Sequence, residues 1–222
     1  MEKPPAHRRL RYQRHSQGLE FDRFVFFSDA VFAIAMTLLV VGIGIPEVPD
    51  RELESALRSK NDEILSFFIS FLVIGYYWLA HHRFIAQIAS IETGFMVLNL
   101  AYLAAIAFTP FPTALVGIYA DHAVSVVLYA TTLGTASLLE VLMLMRAYRQ
   151  KLFLVDMRPD VYRYGVIAAI VPVVVFAISI PIAYVDTTLA LLSWLLTFPA
   201  EYFVDKLLRP VANVADTDAE RG

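Results

Sequence analysis

Arg23-Phe-Val-Phe-Phe-Ser-Asp-Ala-Val-Phe-Ala-Ile-Ala-Met-Thr-Leu-Leu-Val-Val41 sets a guanidinium, a hydroxyl and a carboxylate against an apolar run that carries on to Ile45. A helix needs about 20 apolar residues to cross the hydrocarbon core of a bilayer, and this run has that length. An ionisable group within such a run is costly, so Asp29 requires an explanation before any other residue.

The rest of the chain agrees with a membrane setting. Of 222 residues 58% are hydrophobic and only 18% charged, with a mean hydropathy of +0.60, which exceeds the apolar share of ordinary soluble domains. The net charge of -3 arises from 18 basic and 21 acidic residues, too even a balance for a broad basic surface that would hold nucleic acid. With no cysteine there is no disulfide, thiolate metal site or cysteine nucleophile. The N-terminus is polar and basic as far as Asp22 and is not expected to be a cleavable signal peptide. The first apolar run is too long and shows no small-residue cleavage pattern before Pro46.

Apolar runs bounded by charge, Pro or Gly predict six spans, at about 24–45, 64–82, 94–118, 122–145, 164–185 and 188–207. The fold class is therefore an all-α integral membrane protein with six transmembrane helices. Pro46-Glu-Val-Pro49 stops the first span, and the charged segment from Asp50 to Glu63 can form a short amphipathic helix outside the bilayer. Pro110 and Pro112 should bend or break the third span, and turns at Asp121 and Asp186 close two helical hairpins. No linker is long enough to separate a second domain, so 1–222 reads as a single unit, with a basic N-terminus at 1–22 and a polar tail at 208–222.

Cytoplasmic loops carry the excess of Lys and Arg. Fifteen of the 18 basic residues fall at the N-terminus, after span two, between spans four and five, or at the C-terminus; Arg51, Arg58 and Lys60 alone fall on the other side. Both termini are therefore expected in the cytoplasm. That orientation places Arg23, Ser28 and Asp29 at the start of span one and Tyr77-Trp78-Leu-Ala-His81-His82-Arg83 at the end of span two, on the same side. Trp78 and His81, three apart, share a helix face and can offer an indole N–H and an imidazole to Ser28 and Asp29, a polar clamp between the two helices. The plainer alternatives are that Asp29 complements the helix dipole and that Trp78 is an interfacial anchor. His82 and Arg83 are expected in the loop. His7, His15 and His122 have no partners at ligand spacing, which argues against a metal site.

Further along span one, Ile34, Leu38, Val41 and Ile45 recur at four, three and four residues and form one stripe. Such a stripe is commonly packing. Here the remaining positions, including Ala33, Ala35, Thr37, Gly42 and Gly44, are small and suit close helix contact. Asp29 lies about 140° from Ile34 around the helix, so the two should face different surroundings. If copies of the chain gather around an axis, the stripe can form apolar rings that constrict a pore, with Thr37 the hydroxyl nearest the constriction.

The pattern Arg23-x-x-x-Phe27-Ser28-Asp29, followed by Val-Phe-Ala-Ile34-Ala and Thr37-Leu38-Leu39-Val40, resembles the signature first helix of the transmembrane protein 175 potassium channels, in their prokaryotic form with one six-helix repeat. The likeness continues in Tyr77-Trp78-x-x-His81-x-Arg83 and Phe108-Thr-Pro-Phe-Pro-Thr113. The resemblance implies a homotetramer in the cell membrane with the first helix of each subunit lining a central pore for K+ ions, and no cofactor. It implies a constriction at Ile34, Leu38 and Val41, a contribution to selectivity from Thr37, and a structural network joining Arg23, Ser28 and Asp29 to Trp78 and His81. Ala30 replaces the family's usual glycine, and Val41 stands where leucine is common. No Thr-Val-Gly-Tyr-Gly filter occurs. Three further classes compete: a proton-coupled or other secondary transporter using Asp29 and His81, a membrane enzyme using His81 and His82, and a non-conducting helical scaffold. The enzyme reading lacks any nucleophile, metal cluster or phosphate loop.

Overall fold

In the computed structural model, among the described residues, six helical stretches are long and apolar enough to cross a membrane: Leu19–Gly42, Asn61–Ile85, Thr93–Ile118, Ala123–Arg149, Pro159–Ala183 and Thr187–Leu208. The structure describes residues 6–208, with side chains over 19–208. His7, His15 and most of the basic segment expected at 1–22 thus lie outside the described side chains, and residues 209–222 of the expected tail lie outside the described residues altogether.

Helix α1 (Ala6–Leu38) ends in a 3-10 turn at Leu39–Gly42, and a 3-10 turn at Asp50–Glu52 leads into the short α2 (Leu53–Arg58). The external amphipathic helix is therefore shorter than the Asp50 to Glu63 segment, because α3 (Asn61–Ile85) already begins within it. At its other end α3 continues through His82 and Arg83, which occupy its last turn and not a loop. Basic side chains there complement the negative end of the helix dipole. The third span divides as the prolines require, into α4 (Thr93–Phe108) and α5 (Pro110–Ile118). Pro110 has no N–H to donate, whereas Thr109 donates back to Ile106 at 3.1 Å and Thr113 to Thr109 at 3.1 Å, so the chain turns with few backbone groups unpaired.

Helix α6 (Ala123–Arg149) is unbroken, and α7 (Pro159–Ala183) stays helical although Pro172 and Pro181 lie inside it. The sixth span departs from the expected continuous helix: α8 (Thr187–Ser193) passes through a 3-10 turn, Trp194–Leu196, into α9 (Thr197–Leu208). Pro199, at the third position of α9, cannot donate backward and its ring excludes the carbonyl one turn before it.

The ends of the helices sort by charge. The starts of α4 and α7 and the ends of α3, α6 and α9 meet at one end of the bundle. Ala89 N–H donates to Leu152 O at 2.7 Å and Leu154 N–H to Gln87 O at 2.9 Å, joining the α3–α4 and α6–α7 loops. Arg23, Arg83, Arg146, Arg149, Lys151, Arg158, Arg163 and Lys206 lie at that end, while Arg51, Arg58 and Lys60 lie at the opposite one. The core between α1, α3, α4 and α6 is built from Phe32, Ala35, Ile74, Tyr77, Phe95, Tyr102, Leu133 and Met143. Lipid removes most of the hydrophobic drive between helices, so close packing and internal hydrogen bonds carry the association.

Candidate functional site

Helix α1 has two faces of opposite character. Ser28, Phe32, Ala35 and Leu39, spaced by four, three and four, are buried against α3, α4 and α5. On the far side Ile34 is 57% exposed, Leu38 46% and Val41 73%. The switch to 3-10 winding at Leu39 matters here, because residues three apart eclipse in that geometry and Val41 comes under Leu38. Thr37 is also exposed, and its Oγ1 donates to Ile34 O at 2.8 Å. The proton is thereby used within the helix and the lone pairs of the hydroxyl face outward. At its end the helix presses on α5: a Cβ placed on Gly42 would lie 3.1 Å from Cβ of Ala114.

The buried face carries the polar groups, and the structure separates them into two connections. Trp78 Nε1 donates to Asp29 Oδ1 at 2.9 Å, with Asp29 half-buried. Ser28 and His81 do not meet directly; Asn99 of α4 stands between them. Its Nδ2 donates to Ser28 Oγ at 3.1 Å, and its Oδ1 lies 2.8 Å from His81 Nε2. Because the amide oxygen only accepts, Nε2 of His81 carries the proton. Ser28 Oγ passes its own proton to Phe24 O at 3.0 Å, which completes the chain. All three side chains are buried. The His81 ring lies parallel to Tyr102 at 5.3 Å and against Phe32 at 5.5 Å, so it is clamped in plane as well as at Nε2. Arg23 is exposed and has no hydrogen bond or ion pair to any described residue. His82 lies tilted against Trp78, ring centres 5.5 Å apart, without joining either connection.

Asn99 escapes a reading based on apolar runs because it lies inside one, although an amide in an otherwise apolar span is itself a signal. A second missed feature is Glu92. Its carboxylate caps α4 by accepting from Gly94 N–H at 2.7 Å and Phe95 N–H at 3.0 Å, and it takes a further bond from Arg146 Nε at 2.6 Å. The Arg146 guanidinium, followed by the Gly94 amide, holds the Glu92 carboxyl down at about 2. The result is a tie between the start of α4 and the end of α6. Among the described residues no group of three or more His, Asp or Glu is placed to hold a metal ion.

Residues 23–110 match the family model described as endosomal/lysosomal potassium channel TMEM175. A potassium channel of Streptomyces collinus is 39% identical over 101 residues, 45% of this chain and 49% of that protein. A potassium channel of Chamaesiphon minutus is 41% identical over 106 residues, 46% of this chain and 52% of that protein. The chain thus spans about half the length of these relatives. The human endosomal/lysosomal proton channel TMEM175 is 31% identical over 103 residues, 42% of this chain and 20% of that protein. Among solved structures, a lysosomal potassium-selective channel TMEM175 homolog from Chamaesiphon minutus superposes with a TM-score of 0.67 at 28% identity, covering 84% of this chain and 98% of that one. The potassium channel MtTMEM175 shares the fold at a TM-score of 0.64 and 23% identity, over 83% and 92% of the two chains.

Proposed function

Because residues 23–110 match the TMEM175 family model and bacterial potassium channels are 39% and 41% identical over nearly half of the chain, we propose that this chain is a channel of that family, not an enzyme, which conducts K+ passively across the cell membrane as a homotetramer, needing no cofactor. The whole chain acts in this reading as one six-helix channel domain with both termini in the cytoplasm. One observation carries it: α1 turns Ser28 and Asp29 toward α3 and α4 and leaves Ile34, Thr37, Leu38 and Val41 uncovered on the opposite face. Four copies around an axis convert those residues into stacked rings. The apolar rings strip part of the hydration shell, which costs less for K+ than for the smaller Na+. Four Thr37 oxygens, their protons already used within the helix, supply acceptor atoms beside the neck. The Asp29–Trp78 and Ser28–Asn99–His81 connections hold α1 at the angle that keeps the rings in register, and Arg23, without a partner among the described residues, faces the adjoining copy.

Purified protein in liposomes should pass K+ down its gradient in preference to Na+. Ile34→Asn or Leu38→Ala should alter the conductance or the K+ to Na+ ratio. A folded tetramer that leaves liposomes impermeable to K+ would refute the channel reading. The vertebrate relatives are named as proton channels, which gives a second reading in which protons pass. Asp29 and His81 bond to Trp78 and Asn99 and not to each other, so a coupled relay through that pair is disfavoured. Proton entry measured with a pH dye in the absence of K+ distinguishes the two.

A further inference from the structure

The chain between α6 and α7 is firmly held. Tyr148 stacks on Tyr162 at 3.8 Å where the two helices meet, Leu152 is buried, Phe153 packs on Phe84, and the backbone bonds to Ala89 and Gln87 fix the segment between them. The next two residues are nevertheless left outside, Leu154 at 64% and Val155 at 80% exposure. In the same segment Arg149, Lys151 and Arg163 are exposed, and their side chains pair with no described residue. Arg158 is taken by Asp160, which leaves Asp156 as the one acid opposing three unpaired cations. Lys151 also stands where folding alone favours glycine, at a φ of 53°. Helix length sets the depth of these groups. With 27 residues α6 is about 40 Å long, against about 30 Å of hydrocarbon. Its apolar run ends at Met145, so Arg149 stands about 6 Å beyond it, within the headgroup layer, and Arg163 directly precedes the apolar run of α7. An apolar pair beside unpaired cations at that depth fits a surface that is negative outside and apolar beneath. A soluble anion would meet only the cations.

We propose that the α6–α7 loop docks on anionic phospholipid in the leaflet at the basic end of the bundle, with Arg149, Lys151 and Arg163 at the headgroup phosphates and Leu154 and Val155 among the upper acyl carbons. The inference rests on the six spans and not on conduction along α1. The chain has no cysteine, so Val155→Cys in the full-length protein takes a single bimane label. The labelled protein is placed in liposomes of one fixed mixture of phosphatidylcholine and phosphatidylglycerol, in which either lipid carries a nitroxide quencher near the top of its acyl chain. Both should quench the label, with phosphatidylglycerol favoured at least tenfold at the loop. Lys151→Gly removes a cation and relieves the backbone, so the protein stays folded while the preference drops about fivefold. Adding Arg149→Gln should lower it by about as much again. Arg51→Gln at the opposite end, and Ile34→Asn in α1, should leave the preference unchanged, so the result stands apart from any loss of K+ flux. Equal quenching by the two lipids, or a preference that survives Lys151→Gly combined with Arg149→Gln, would overturn the proposal. So would a label that neither lipid quenches, which would put the loop outside the bilayer and mark Leu154 and Val155 as a face for a protein partner.

Discussion

Replacing Asn99 by Ala tests whether the buried connection of α4 to its neighbours, and not the more visible Asp29–Trp78 pair, holds the first helix in place. The substitution deletes two interhelical hydrogen bonds, at 3.1 Å to Ser28 and 2.8 Å to His81. Bonds of this kind between membrane helices average about 0.6 kcal/mol and reach about 1.7, so the pair is worth roughly 1–3 kcal/mol. The upper part of the range applies here because His81 is buried between Phe32 and Tyr102 and its Nε2–H has no alternative acceptor in view; a stranded donor costs about 1–3 kcal/mol by itself. Ser28 loses less, since it retains Phe24 O as an acceptor for its proton. Unfolding by titration with SDS in mixed micelles, followed by circular dichroism, gives the loss. A double-mutant cycle of Asn99→Ala with His81→Phe gives the coupling, which should exceed about 0.5 kcal/mol and be larger than the coupling with Ser28→Ala. A loss below about 0.5 kcal/mol in Asn99→Ala, or zero coupling with His81, would refute the reasoning and return the anchoring role to Trp78.

Trp78→Phe keeps an aromatic ring but removes the N–H to Asp29 and part of the indole's packing volume; with Asp29 and Trp78 both half-buried, stability should fall by about 1–2 kcal/mol, measured in the same titration, while His82→Ala should leave K+ flux unchanged. The Glu92 carboxyl titrates well below its ordinary 4.5, at about 2, so its stabilisation is complete above pH 4.5 and is lost as the pH falls toward 2. The difference in thermal midpoint between wild type and Glu92→Gln should accordingly shrink between pH 5 and pH 3, and a constant difference would exclude the tie to Arg146. Lys151 adopts the left-handed conformation (φ 53°) as α6 ends, with Leu152 N–H returning to Ala147 O at 3.0 Å; Lys151→Gly should therefore raise stability by about 1 kcal/mol, and a lower melting temperature would show that the lysine side chain outweighs the backbone term.

Much of this architecture was legible in residue order alone, and for identifiable reasons. Hydrophobic length does not depend on partners, so the six spans appear wherever apolar runs exceed the bilayer thickness, and Pro110 breaks the third by removing an N–H whatever packs around it. The apolar run alone does not show the break in the sixth span, although Pro199 marks it, and the boundaries of α1 and α3 extend beyond the apolar runs because polar residues continue a helix where the chain leaves the hydrocarbon. The rule that singled out Asp29 applies equally to Asn99, a polar residue in an apolar span. Its importance was obscured because it belongs to no compact local motif.

By itself the sequence determined what depends on one helix at a time: the number of spans, the sidedness of charge, and the separation around α1 of Asp29 from the stripe of Ile34, Leu38 and Val41. Only the tertiary structure decided which partners the polar groups take. Three-residue spacing places Trp78 and His81 on one face of α3, yet α1 crosses so that Trp78 alone reaches Asp29, and α4 inserts Asn99 between Ser28 and His81. Periodicity specifies the direction in which a side chain leaves its own helix. The crossing and depth of the neighbouring helix, which no local pattern encodes, select the atom it meets.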